Sequence, residues 1–189
     1  MKNKYFLIIA VLIASFACNY ANTPQKVENF TLKNYDGREY SLKDFSDSKA
    51  IVVMFVSTQC PVSNDYNERM AKIYNNYKDK GIAFVGINSN KQESVEEITK
   101  HSGENKFGFP VLKDHNNLIA DKFKASVTPE VYVLNNKLEV LYHGRIDDNR
   151  RADKVEIQDL PAALDEIIGG KSVSSAKTKA FGCTIKRVD

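Results

Sequence analysis

The chain has 189 residues, enough for one domain with additions and a sizeable buried core. Hydrophobic residues make up 42% and charged residues 27%, an ordinary balance for a globular protein. A formal net charge of +3 gives no reason to expect nucleic acid or another polyanion as partner.

The first 21 residues read as an export signal. They have a basic start at Lys2 and Lys4, an apolar stretch from Tyr5 to Ala14, and small residues near Ala17. Removing the segment takes away those two positive charges and leaves +1. The stretch is too short and too soon polar for a comfortable membrane span. Ser15-Phe16-Ala17-Cys18 resembles a bacterial lipoprotein cleavage site, which would make Cys18 the lipidated first residue of the mature chain. Cleavage by an ordinary signal peptidase after Ala17 or Ala21, and an uncleaved anchor helix, stay open. The expected location is therefore outside the bacterial cytoplasm, either periplasmic or tethered to a membrane by lipid at Cys18. Once Cys18 is set aside, Cys60 and Cys183 form an even pair in a compartment where disulfides persist.

A domain is expected over residues 22–170, with a tail over 171–189 that carries Cys183. Extended runs flank Asp36-Gly37 and predict a hairpin, and Ser41 to Asp44 predicts a single helical turn. Ala50 to Val56 is an apolar run suited to a strand covered on both faces. From Pro61 onward Met70, Ile73, Tyr74 and Tyr77 recur at helical spacing, and the helix is expected to stop at Gly81. Ile82 to Asn88 predicts a second buried strand. Val95 to His101 predicts a helix with Glu93 and Glu96 near its start. A short extended piece follows at Phe109 to Leu112, then a helix at Asn116 to Lys124. A hairpin joins Val131–Leu134 to Leu138–His143 through Asn135-Asn136, and a last helix runs from Asp159 to Gly169-Gly170. The order is α/β, with parallel strands joined by crossover helices and a terminal hairpin that makes the sheet mixed.

Cys60 follows the first buried strand, and Pro61 suits the first position of a helix. A thiol placed there faces unpaired backbone N–H groups and the positive end of the helix dipole, both of which favour the reactive thiolate. An ordinary thiol of pKa ~8.5 is about 3% ionised at neutral pH, whereas one lowered to ~6 is roughly 90% ionised. A buried structural thiol is the plainer alternative. The polar neighbours Ser57, Thr58, Gln59 and Ser63 favour the reactive one.

Ser126-Val127-Thr128-Pro129-Glu130 supplies the second signal, a Thr-Pro just ahead of a strand. A strand, then Cys-Pro at a helix start, then Thr-Pro before a terminal hairpin resembles the thioredoxin superfamily over about Val27 to Gly170. The resemblance implies a thioredoxin-like fold: a mixed central sheet flanked by helices, with an N-terminal hairpin and a C-terminal tail. It also implies that Pro129 is cis beside Cys60. Thr128, Pro129 and Pro61 would then form the substrate-binding surface, with Thr128 offering backbone atoms to a bound sulfur compound. The second cysteine of the Cys-x-x-Cys oxidoreductases is absent, because Ser63 occupies its place. Of the peroxiredoxin pattern Pro-x-x-x-Thr/Ser-x-x-Cys, Ser57 matches the hydroxyl position and Val53 replaces the proline. Cys-Pro after a short polar turn, and Tyr142 to Asp148 after the hairpin, are most similar to the redoxin group of peroxiredoxin-like proteins. These are the alkyl hydroperoxide reductase and thiol-specific antioxidant family.

The resemblance implies a thiol-dependent oxidoreductase in which Cys60 attacks a peroxide or a protein disulfide. Cys183, beside Phe181, Gly182 and Ile185 on the tail, suits the resolving role that turns a Cys60 sulfenic acid into a disulfide. A static bridge, which would stabilise by roughly 4–5 kcal/mol for so long a loop, and an unpaired or intermolecular thiol are the other readings. Ser57 is expected to hydrogen-bond a peroxide. Arg145 is a candidate to hold the thiolate or the substrate, or else a surface partner of Asp147 or Asp148. No cofactor or metal is expected: His101, His115 and His143 lack ligand spacing, and there is no phosphate-cradling glycine loop. Electrons would come from an external thiol donor. Disulfide exchange on exported proteins, and a binding module with a vestigial thiol, are the alternatives.

Overall fold

The computed structural model describes residues 25–34 and 36–188. The export segment and Cys18 lie outside those residues.

The core is a five-stranded mixed sheet of order β5-β4-β3-β7-β8. At its centre is β3 (Ala50–Phe55), all six residues of which are buried. It runs parallel to β4 (Ile82–Asn88) and antiparallel to β7 (Glu130–Leu134). The parallel edge strand is β5 (Val111–Lys113), and the antiparallel edge is β8 (Val140–Gly144). The apolar run of β3 is uninterrupted because both of its faces meet helices. Val52 and Met54 point to one side, where Met70, Ile73, Ile98, Leu160 and Leu164 pack. Ile51, Val53 and Phe55 point to the other, against Phe30, Leu42, Ile119 and Phe123.

Ahead of the sheet, β1 (Thr31–Lys33) pairs with β2 (Glu39–Ser41). The turn between them needs Gly37, whose φ of +82° lies in the left-handed region. A 3-10 turn, Leu42–Phe45, follows, capped by the Ser41 hydroxyl and closed reciprocally by Asp44.

The helix predicted from Pro61 is two pieces, α1 (Pro61–Asn64) and α2 (Asn67–Tyr77). The ladder is interrupted at Asp65, whose carbonyl accepts from the Arg69 guanidinium. Helix α3 (Val95–Glu104) has Ser94 and Glu97 as a reciprocal cap. The short α4 (Leu118–Phe123) precedes β6 (Val127–Thr128), and α5 (Asp159–Ile168) closes the domain. A 3-10 turn at Ala152–Lys154 was not legible in the sequence.

The tail folds back as the sequence allowed, but with far more structure than its Ser- and Lys-rich texture predicts. It first lies along the β8 edge, where the His143 N–H donates to the Ala176 carbonyl and the Thr178 N–H donates to the His143 carbonyl. It then forms β9 (Cys183–Thr184), antiparallel to β6. Ile185 enters the second core cluster at 3% exposure, which anchors the chain just past the cysteine.

Candidate active site

Cys60 sits where β3 ends and α1 begins, and it is the N-cap of α1 with extended backbone dihedrals. Pro61 takes the first helical position, where its missing N–H costs nothing. The Ser63 N–H points at Cys60 Sγ from 3.2 Å, and Sγ also lies 3.4 Å from the Thr128 carbonyl oxygen. An N–H aimed at the sulfur lowers the cost of a thiolate whenever the sulfur is free.

The Thr128-Pro129 peptide is cis, and the Thr128 carbonyl at the end of β6 lies beside Cys60. Opposite Thr128 in the β6–β9 ladder stands Cys183, and the two cysteines are joined as a disulfide with Cα atoms 5.9 Å apart. The fit of the tail depends on Gly182. A Cβ there would stand 2.0 Å from the Thr128 carbonyl oxygen and 3.2 Å from Pro129 N. Cys60 is 5% exposed, while Cys183 is only partly covered.

Two further contacts seat the tail upstream of Cys183. The Thr178 hydroxyl accepts from the Arg145 N–H at 3.0 Å and bonds the Tyr142 phenol at 2.7 Å. Burial pushes the Tyr142 phenol up to about 12, so it stays protonated and donates to the Arg145 carbonyl. Downstream, the Lys186 N–H donates to Asn90 Oδ1 and the Arg187 guanidinium donates to the Ala125 carbonyl.

Ser57 is buried three residues before Cys60, and its hydroxyl oxygen accepts the Cys60 N–H at 2.9 Å. Its hydroxyl hydrogen goes to Glu93. In this oxidised arrangement that hydrogen is therefore committed to a carboxylate. Glu93, 1% exposed, also accepts from Thr58 N at 2.7 Å and from Asn88 Nδ2. Sequence reasoning placed Glu93 only as an acid near a helix start. The usable signal was its position one residue before the Ser94 cap, outside the helix it seemed to serve.

Arg145 lies in the loop after β8, and its Nε donates to Asp159 Oδ2 at 2.7 Å. Neither Asp147 nor Asp148 is its hydrogen-bond partner: Asp147 is taken by Arg69 at 2.6 Å, and the Asp148 carboxylate accepts the Glu156 N–H at 3.0 Å instead. Asp159 at the first turn of α5 is the surrogate that sequence spacing did not reveal. Next to the cis peptide, Glu130 accepts from the Ser126 and Val127 N–H groups and from His143 Nε2. Burial alone would raise its carboxyl. The bonds from His143 and the two backbone N–H groups outweigh that and hold it below the usual range.

A buried cysteine at a helix cap, a cis-proline beside it and a mixed sheet beneath are matched by the comparisons. Residues 23–143 match the AhpC/TSA family. The chain belongs to the AhpC/TSA family. The match ends before the tail, so the family region includes Cys60 and excludes Cys183. Thiol-disulfide oxidoreductase ResA of Halalkalibacterium halodurans is 24% identical over 75% of this chain and 82% of its own length. The chloroplastic peroxiredoxin Q of Sedum lineare is 25% identical over 66% of this chain and 70% of its own. Among solved structures, a hypothetical protein of Sinorhizobium meliloti superposes with a TM-score of 0.82 at 31% identity, covering 88% of this chain and 94% of that one. This AhpC/TSA protein is a thioredoxin-superfamily redoxin and a thiol-based redox enzyme.

Proposed function

We propose that this AhpC/TSA protein reduces a hydroperoxide through Cys60 and closes each turnover with Cys183. The observation that carries the reading is the tail: it delivers the second sulfur to Cys60 through the β6–β9 ladder. In the first step the Cys60 thiolate attacks the peroxide, forming an S–O bond and breaking the O–O bond. An alcohol or water leaves, and Cys60 becomes a sulfenic acid. The Cys183 sulfur then attacks the sulfenic sulfur, water departs and the disulfide forms. Two equivalents of an external thiol return both cysteines to thiols and are themselves oxidised to a disulfide.

Ser63 N–H is assigned to thiolate stabilisation. Thr128, Pro129 and Pro61 are assigned to the rim that receives substrate. Ser57 and Arg145 are assigned to the peroxide, each after its present partner, Glu93 or Asp159, yields it. Those engaged partners favour a second reading, thiol–disulfide exchange with an exported polypeptide, which needs neither a free hydroxyl nor a free guanidinium. Export through residues 1–21, with lipid at Cys18, belongs to the same proposal.

The deciding experiment counts free thiols by intact mass before and after one equivalent of hydrogen peroxide. Wild type is expected to lose two thiols quickly, and Cys183→Ser to hold a sulfenic acid that dimedone traps. A disulfide that peroxide fails to form from the reduced protein would rule out the peroxidase and leave disulfide exchange.

A further inference from the structure

Against the turn that carries Cys60 lies a buried polar cluster whose own role the steps above leave unassigned. It is built from Asn88, Asn90, Glu93 and Lys113, all at most 8% exposed. Glu93 is its centre. The Ser57 hydroxyl and the Gln59 N–H reach one carboxylate oxygen, while the Thr58 N–H and Asn88 Nδ2 reach the other. All four of these groups are donors, so an amide N–H₂ in place of one carboxylate oxygen would face donors with no acceptor. Through Ser57 the grip extends to the Cys60 N–H.

The same loop holds the tail with its other end. Asn90 Oδ1 accepts the Lys186 N–H at 2.8 Å, and the Lys186 carbonyl accepts the Lys91 N–H at 2.8 Å. Those contacts fall three residues beyond Cys183. Lys113 braces the loop from below, with Nζ donating to the Asn90 carbonyl at 2.5 Å and reaching Asn88 Oδ1 at 3.4 Å. Residues 88–93 thus touch the turn that carries one sulfur and the tail three residues beyond the other.

We propose that Glu93 is a positioning residue of the redox site, and that the loop 88–93 holds Cys60 and Cys183 in register for bond formation. The inference rests on reading these cysteines as a working redox pair, but not on which oxidant they meet. Holding two groups in register raises their effective concentration, and an error near 1 Å can cost about 10²-fold. Loosening either end of the loop lowers the tendency of the two thiols to close.

The test is the equilibrium of the full chain with glutathione, in which the dithiol protein plus one glutathione disulfide gives the protein disulfide plus two glutathione thiols. Glu93→Gln is expected to lower that equilibrium constant by about tenfold or more, making the potential ~30 mV less negative. Adding Ser57→Ala to Glu93→Gln is expected to change little further, because the two side chains act through one contact. Asn90→Ala, which removes the side-chain half of the grip on the tail and leaves the Lys91 contact, is expected to lower the constant as well. Leu164→Ala, a core truncation under α5, is expected to reduce stability and leave the constant at the wild-type value. Wild-type constants in both Glu93→Gln and Asn90→Ala would overturn the inference. If Glu93→Gln does not fold, Asn90→Ala decides the role of the loop alone. A wild-type disulfide that never exchanges with glutathione would overturn the redox-pair reading and this inference with it.

Discussion

Replacing Gly182 with alanine tests whether the tail's seat is what makes Cys183 a partner. The new Cβ would lie 2.0 Å from the Thr128 carbonyl oxygen and 2.6 Å from its carbon, and both are backbone atoms beside a proline. Neither can swing aside as a side chain would. To reach an ordinary contact near 3.4 Å the tail must withdraw by about 1.4 Å. Withdrawal on that scale carries the sulfur of the next residue out of attacking geometry, so closure should slow by about 10²-fold. The domain itself should stay intact, because Ile185 and Thr178 still anchor the tail on either side. The assay mixes reduced protein with one equivalent of hydrogen peroxide, quenches at intervals by alkylation, and reads thiol, sulfenic and disulfide masses. Gly182→Ala is expected to accumulate sulfenic acid on Cys60 and then sulfinic acid as oxidant is raised. Disulfide closure at the wild-type rate would refute the steric reasoning.

Three further outcomes follow from buried groups. Arg69 donates to Asp147 and to the Asn149 carbonyl, and its guanidinium stacks 3.6 Å over Tyr66. Arg69→Ala strands Asp147 without that cation and should cost about 3–5 kcal/mol in urea unfolding, with Asp147→Asn recovering part of the loss. Glu130 has a folded pKa below its unfolded one, so its contribution is present above about pH 4.3 and is lost as pH falls through the lower folded value. Glu130→Gln should flatten that acid limb, and a limb of unchanged steepness in pH-dependent unfolding would contradict the assignment. Ile185→Ala removes a buried anchor worth about 2–5 kcal/mol in an ordinary core. Here the loss should appear as faster hydrogen exchange at Ile185 and Lys186, with the β3 amides unchanged.

The strands were legible because the sheet's centre is covered on both faces, so Ala50 to Phe55 is an unbroken apolar run and Ile82 to Asn88 is apolar up to its last residue. Cys60 was legible from Pro61 and the polar turn before it. The cis peptide came from the resemblance, since nothing local in Thr128-Pro129 distinguishes cis from trans. Other features depend on tertiary contacts that composition does not report. At the break the Asp65 carbonyl accepts from the Arg69 guanidinium, and Arg145 pairs with Asp159 across the fold. The tail reads as solvated because exposed Lys177, Lys179 and Lys186 dominate it, while its anchors are the single residues Thr178, Gly182 and Ile185. Glu93 was hidden for a similar reason. A lone acid ahead of a helix looks like a dipole partner until the turn at residues 57–59 is folded over it.

The tail also seals the sheet. Edge strands present unpaired backbone groups to any passing chain. On β8 those groups are taken at one end by Gln25 and at the other by Ala176 and Thr178. On β5 the neighbour is Asn34. A second molecule that sought to lengthen this sheet across β8 would have to peel away residues 176–178, and with them the lead-in to Cys183. The same few residues of the tail thus cover a sheet edge and lead the chain toward Cys183.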